Sequence, residues 1–156
     1  MIHVALWEPE IPPNTGNIAR LCAANAIPLH LIGRLGFRLD DRDLKRAGCD
    51  YWPSVDVRRH ATLDQFVAAL PDSRIIPVSV HVPRNYAEMR YEDNDCLLFG
   101  SESKGLPDAV RERFAATAVT IPMAGSAVRS LNLATAVGIV LYEALRQRHG
   151  WNFPGP

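Results

Sequence analysis

Three stretches of this chain carry side chains with chemical reach. The first, Asn14-Thr15-Gly16-Asn17-Ile18-Ala19-Arg20, sets an amide near a helix start and a guanidinium about two turns on. Together they can address one anionic group with help from the helix N-terminus, although a capped helix with a surface arginine uses the same residues. The second, Gly100-Ser101-Glu102-Ser103-Lys104-Gly105-Leu106-Pro107, is a glycine-flanked turn with one carboxylate. Gly100 and Gly105 let the backbone approach a ligand, and Glu102 can accept hydrogen bonds from a substrate or from Arg20. The third runs from Ile121-Pro122-Met123 through Ala124 to Arg129 and on to Ser130-Leu131-Asn132-Leu133-Ala134. Its apolar triplet can wall a flat ring, while Ser130 and Asn132 set a hydroxyl and an amide beside the mouth of the last helix, where Ser130 can equally be a cap. Each stretch alone is also what an ordinary turn looks like. Three of them in loops that converge on one strand edge point to a single site.

The elements that must position these loops follow from periodicity and breakers. Ile2 to Trp7 reads as a strand closed by the breaker-rich Glu8 to Pro13. A helix over 15–26, capped by Asn14 or Thr15 and ended by Pro28, packs through Ile18, Leu21 and Cys22. Leu29 to Ile32 reads as a buried strand, Asp40 to Ala47 as a charged helix stopped by Gly48, and Val55 to Val57 as a short strand. Residues 63–70 form a helix, Arg74 to Val80 and Cys96 to Phe99 are strands, and a short helix runs from Pro107 to about Phe114. Ala118 to Ile121 reads as a last strand. Residues 131–148 make the longest helix, with a stripe of Leu133, Val137, Val140, Leu141, Ala144 and Leu145. Strand and helix in alternation predict an α/β domain whose mostly parallel sheet carries helices on both faces. Ligands then sit beyond the carboxyl ends of the strands, in the loops after Trp7, Val80, Phe99 and Ile121.

Composition removes several classes of function. With 156 residues, 47% of them hydrophobic and 22% charged, the chain is expected to fold as one domain over 1–156. Its 17 basic and 17 acidic residues cancel, so any nucleic acid must be held by local patches, and DNA is not an expected partner. Cys22, Cys49 and Cys96 form neither a disulfide framework nor a zinc set. No signal peptide and no run near the roughly 20 apolar residues of a membrane span is present, so a soluble cytoplasmic protein is expected. The glycines make neither a dinucleotide fingerprint nor a P-loop, and no nucleophile elbow occurs. His3, His30, His60, His81 and His149 are scattered, without the spacing of a helical zinc site, and no metal is expected.

The ordered set Asn14 with Arg20, Gly100-x-Glu102-x-x-Gly105, and Ile121-Pro122-Met123 followed by Ser130-Leu131-Asn132-Leu133-Ala134 resembles the three motifs of the SPOUT methyltransferases, specifically their TrmH-like ribose 2′-O-methylases. The match spans nearly the whole chain. The opening Glu8 to Asn17 is similar to the small members that modify the wobble pyrimidine, cytidine or uridine 34, of leucine tRNAs. The resemblance implies a C-terminal trefoil knot, S-adenosylmethionine as cofactor, a site completed across a homodimer, and the tRNA anticodon stem-loop as partner. It places the cofactor loops at Val78, Ser79, Val80, Gly100, Glu102, Gly105, Ile121, Met123, Ser130 and Leu131. It places the catalytic groups at Arg20, Asn14, Glu102, Ser130 and Asn132. No appended RNA-binding domain of the kind many relatives carry is expected, which implies that the dimer surface itself grips the RNA.

Arginine is a poor base because its pKa exceeds about 12. Arg20 is therefore expected to pin a phosphate and stabilise a developing oxyanion, with Glu102 or that phosphate receiving the hydroxyl proton. Arg34, Arg38, Arg42, Lys45 and Arg46, interleaved with Asp40, Asp41 and Asp43, and Arg129 beside the third motif, are candidate RNA contacts. Trp7 and Tyr142 can be core or can stack on a base. Two other readings fit the same motifs: ribose methylation at another tRNA or rRNA site, and a non-catalytic RNA-binding protein of the same fold.

Overall fold

The computed structural model describes residues 1–38 and 52–150. The expected helix at Asp40 to Ala47, together with Cys49, Arg42, Lys45 and Arg46, lies outside the described residues. Among the described residues, five strands, β1 (His3–Trp7), β2 (Leu29–Ile32), β3 (Val57–His60), β4 (Ile75–Val78) and β5 (Cys96–Phe99), are interspersed with four α-helices. These are α1 (Pro12–Ala24), α2 (Leu63–Ala68), α3 (Asp108–Arg113) and α4 (Leu133–His149). All four strand pairings are parallel and the sheet order is β3-β2-β1-β5-β4.

The pleat divides the apolar residues between two faces. Val4, Leu6, Leu29, Leu31, Ile76, Leu97 and Phe99 meet Ile18, Ala19 and Cys22 of α1 and the whole predicted stripe of α4. Ala5, Ile32, Ile75, Cys96 and Leu98 meet Phe66 of α2 and Val110 of α3. Helices therefore cover both faces, as the alternating order requires. Trp7 packs against the second cluster, whereas Tyr142 stands 39% exposed on α4.

Several boundaries depart from the sequence-based reading. Helix α1 begins at Pro12 rather than near residue 15: two prolines at its start supply the required φ, and Ile11 occupies the N-cap without a side-chain hydrogen bond. Asn14 and Thr15 are thus inside the helix and buried, not capping it. The cap of α4 is Asn132, whose Oδ1 accepts from the backbone N–H of Ala134 and Thr135, so Ser130 is not the cap. Val55 and Asp56 precede the edge strand, which takes Val57 to His60. Ala118 to Ile121 does not form a strand. Val119 and Thr120 make only isolated parallel bridges to Val78 and Asn85, because β4 ends at Val78 and offers no longer edge.

Three of the five scattered histidines come together. Parallel register sets His30 beside Ala5 and His60 beside Ile32, so His3, His30 and His60 step diagonally across β1, β2 and β3 on one face. His3 Nδ1 lies 3.1 Å from His30 Nε2, and His30 Nδ1 lies 2.9 Å from His60 Nε2. The edge of Phe66 packs on the rings of His30 and His60. Three neutral imidazoles satisfy this chain in a single run of N–H donors, of either polarity. Burial lowers the affinity of His30 for a proton to a pKa of about 3, reinforced by its two histidine neighbours and Arg58; burial also lowers His3 and His60.

The unfolded chain takes up protons near pH 6.5 that the folded triad refuses. Stability is then complete above that pH and falls as acid is added toward about pH 3, by up to about 1.4 kcal/mol per pH unit for each excluded proton. Urea unfolding at neutral pH and near pH 5 measures this loss. A His30→Asn variant is less stable at neutral pH but has a shallower acid limb; identical limbs would show that acid acts elsewhere.

Candidate functional site

From β1 the chain proceeds to β2 on one side, while β4 and β5 lie on the other, so the carboxyl ends of β1 and β5 border the crevice where an open α/β sheet binds ligands. Two of the three polar stretches begin there. The Glu102 carboxylate, in the turn after β5, reaches across to the start of α1. Its Oε2 accepts from the backbone N–H of Glu10 at 2.8 Å, and its Oε1 from Ile11 N–H at 3.1 Å and Asn14 Nδ2 at 3.2 Å. These donors are the backbone N–H groups of the N-cap residue Ile11 and of Glu10 just before it, and a side-chain amide from the first turn of α1. Glu10 answers from the other side: its carboxylate accepts from Ser103 Oγ at 2.6 Å and Ser103 N–H at 3.2 Å.

The third stretch joins through Asn132. Its Oδ1 is occupied by the cap of α4, so its Nδ2 faces Asn14 and donates to Asn14 Oδ1 at 3.0 Å. That assignment fixes the Asn14 amide, leaving Nδ2 for Glu102. One polarised chain of hydrogen bonds, from the start of α4 through Asn132 and Asn14 to Glu102, ties together all three polar stretches.

Beside this junction lies an open cleft of about 840 Å³, in the range of small-molecule sites. Val78, Ser79, Val80, Gly100, Glu102, Gly105, Ile121, Met123, Ser130 and Leu131, the ten residues expected at a cofactor, all line it, and so do Asn14 and Asn132. Apolar side chains of Val78, Ile121, Met123 and Leu131 share the wall with hydroxyls of Ser79 and Ser130. That mixture suits a flat heterocycle with a polar tail, the donor set that S-adenosylmethionine requires. The glycines play different parts from the expected one. A Cβ on Gly100 would stand 2.0 Å from the Gly105 carbonyl carbon and 2.2 Å from Leu106 N, so Gly100 is small because the turn folds back on itself. Gly105 has φ +66 and open space around it, which is a demand of the turn's backbone.

Arg20 does not join the group. Six residues separate it from Asn14, an advance of roughly 9 Å and a rotation of about 240° beyond a full turn. Asn14 is buried and faces the cleft, while Arg20 is exposed and is not among the cleft residues. Within one chain, Asn14 lines the cleft and Arg20 does not. Sequence reading also missed Glu10 as a partner of Ser103. The signal was present in Glu10-Ile11-Pro12-Pro13, where a carboxylate stands two residues before a proline-started helix.

Residues 1–142 match the model of the SpoU rRNA Methylase family. The chain belongs to this family. It is 42% identical over 148 residues to the Escherichia coli (strain K12) tRNA (cytidine(34)-2′-O)-methyltransferase, covering 94% of each chain. A solved structure described as giving insight into 2-OH methylation of C/U34 on tRNA superposes with a TM-score of 0.90 at 51% identity, over 96% of this chain and 97% of that one. The AdoMet-bound rRNA methyltransferase of Sinorhizobium meliloti superposes with a TM-score of 0.82 at 29% identity, over 93% of this chain and 56% of that one. A parallel α/β sheet with its cleft at the carboxyl edge is therefore the SpoU methylase framework, and relatives with that framework bind AdoMet.

If the Asn14 amide is held by both neighbours, Asn14→Asp sets two carboxylates against each other and lowers stability by about 1–3 kcal/mol. Adding Glu102→Gln relieves the repulsion, and urea unfolding of the four proteins gives a coupling free energy well above about 0.5 kcal/mol. Additive losses would mean that the two side chains do not interact.

Proposed function

We propose that this chain is an S-adenosylmethionine-dependent tRNA methyltransferase that methylates the ribose 2′-hydroxyl of nucleotide 34, cytidine or uridine, with leucine tRNAs as its substrates. The observation that carries the reading is the convergence of Asn14, Glu102 and Asn132 beside a cleft lined by all ten expected cofactor residues. The names of relatives that align end to end support it. Residues 1–156 act as one domain whose C-terminal part threads a trefoil knot, and two copies form the working unit.

When bound, S-adenosylmethionine supplies an electrophilic methyl group carried by a sulfonium. Val78, Ile121, Met123 and Leu131 wall its base and keep water from the reacting centre, and Ser79, Gly100 and Ser130 hold its polar parts. Asn14 and Asn132, already locked to one another, orient the acceptor ribose. Glu102 serves as the clamp that fixes Asn14; with three N–H donors on its carboxylate it is a positioning residue and not the proton acceptor. Arg20 points away from its own cleft and acts in the partner's. There its guanidinium holds the phosphate next to nucleotide 34, stabilises the developing alkoxide, and leaves that phosphate to take the hydroxyl proton.

Labelled cofactor and an anticodon stem-loop test the activity: label enters RNA with ribose at position 34 and fails to enter RNA with 2′-deoxyribose there. Arg20→Lys lowers kcat at least about tenfold, since an ammonium lacks the planar fork, while cofactor affinity is kept. Near wild-type turnover would remove Arg20 from the mechanism. Mixing Arg20→Ala chains with Leu131→Arg chains restores about a quarter of the sites if assembly is two-fold and Arg20 crosses over. No recovery would place Arg20 with its own cleft or outside the site.

A further inference from the structure

The carboxyl edge of the sheet sorts its charges by depth. Its acidic residues are turned inward: Glu8 accepts from Arg34 N–H at 3.4 Å, Glu10 is held by Ser103, and Glu102 by the start of α1. Each of these carboxylates is half-buried. The cations on the same edge are turned outward. Arg34 follows β2, Lys104 sits in the turn after β5, and Arg129 lies in the third stretch directly before Ser130; all three are exposed. Among the described residues, none of the three side chains has an acidic partner. Most other arginines of the described chain are committed: Arg58 to Asp56, Arg74 to Asp95, Arg111 to Asp108, Arg113 to Asp64, Arg146 to Glu143 and Arg148 to Asp93.

Two of the three cations, Arg34 and Lys104, are also held in place by the backbone that bears them. The turn carrying Arg34 packs so closely on the β1 loop that a Cβ on Gly33 would stand 2.8 Å from Glu8 Cγ, and one on Gly36 2.8 Å from Glu10 Cα. Gly36 N–H donates to the Pro9 carbonyl at 2.9 Å. Lys104 stands in a turn closed by reciprocal backbone bonds between Ser101 and Gly105. Lys104 and Arg129 both line the cleft, while Arg34 lies two strands away, roughly 10 Å at the usual strand spacing. That span is the scale of a few phosphates of one nucleic-acid strand.

We infer that Arg34, Lys104 and Arg129 form a phosphate track along the carboxyl edge of the sheet, which grips the backbone of the single-stranded RNA segment whose ribose enters the cleft. The inference rests on the proposed reaction for the identity of that segment. The cations at the cleft mouth hold the phosphates beside the acceptor nucleotide, and Arg34 holds the strand further along. Phosphate contacts of this kind position without reading bases, so base choice at the acceptor must come from elsewhere.

The test is the salt dependence of binding, read by fluorescence anisotropy with an anticodon stem-loop carrying 2′-deoxyribose at position 34, so that no turnover intervenes. Each single alanine variant weakens RNA binding severalfold whatever base stands at 34. The Arg34→Ala/Lys104→Ala/Arg129→Ala protein shows a slope of log K against log salt that is shallower by about two, from about 0.7 per phosphate of a single strand. Its cofactor affinity by calorimetry changes less than about twofold. An unchanged slope overturns the track, and so does a loss confined to cofactor binding, which would make Arg129 or Lys104 a cofactor contact. The two readings fail separately. Methyl transfer by the wild type with no change of slope in the variant removes the track and keeps the reaction, whereas a slope that falls as stated in a wild-type protein that transfers no methyl to nucleotide 34 keeps the track and removes the reaction. Absence of any RNA binding by the wild type overturns both.

Discussion

The Glu102 carboxylate is the constraint on which the cleft depends. A half-buried carboxylate is costly to hold unless donors surround it, and here the donors are groups that would otherwise go unsatisfied. Glu10 N–H, Ile11 N–H and the Asn14 amide all belong to the entrance of α1, which has no side-chain cap of its own. Glu102 therefore caps a helix more than eighty residues away in sequence, with the sign of charge that a helix N-terminus favours. The same contact seats the turn after β5 against the loop after β1 and so defines one side of the crevice. Loss of the carboxylate would leave an uncapped helix and a turn still held to the β1 loop through Ser103 and Glu10.

The other side of the crevice is fixed by the long helix. Asn132 caps α4 with its oxygen and holds Asn14 with its nitrogen, so one amide serves helix stability and site geometry together. The apolar stripe of α4 packs with Ile18, Ala19 and Cys22 of α1 over the sheet, which sets the distance between the two helix starts. Rigidity of the core is thereby passed to the polar junction. In contrast, the segment 124–130 and Arg20 stand exposed.

The histidine ladder shows the same use of polar groups for register, in a part of the sheet remote from the cleft. Slipping β2 or β3 by one residue would move an imidazole to the opposite face and break both N···N contacts. A buried polar run of this kind is tolerable only while every nitrogen facing a neighbour is paired and the rings stay neutral, which is why burial and mutual proximity depress their basicity together.

Much of this was legible in the sequence. Alternating apolar runs predicted a parallel sheet covered on both faces, the stripe from Leu133 to Leu145 predicted the longest helix, and three motifs in order marked the loops of the site, because side-chain period and motif order are properties of the chain itself. The ends of elements were less legible. Asn14 is a good cap by type, yet two prolines start α1 earlier, and the competition was settled by where Glu102 could reach. The residues from Ala118 to Ile121 have strand composition, but their pairing needed an edge that β4 does not extend far enough to give. Only the tertiary structure decided which polar groups meet: Glu102 with Asn14, Glu10 with Ser103, and His3 with His30 and His60. Those contacts join positions far apart in the chain through strand order and register, which no local pattern of residues encodes.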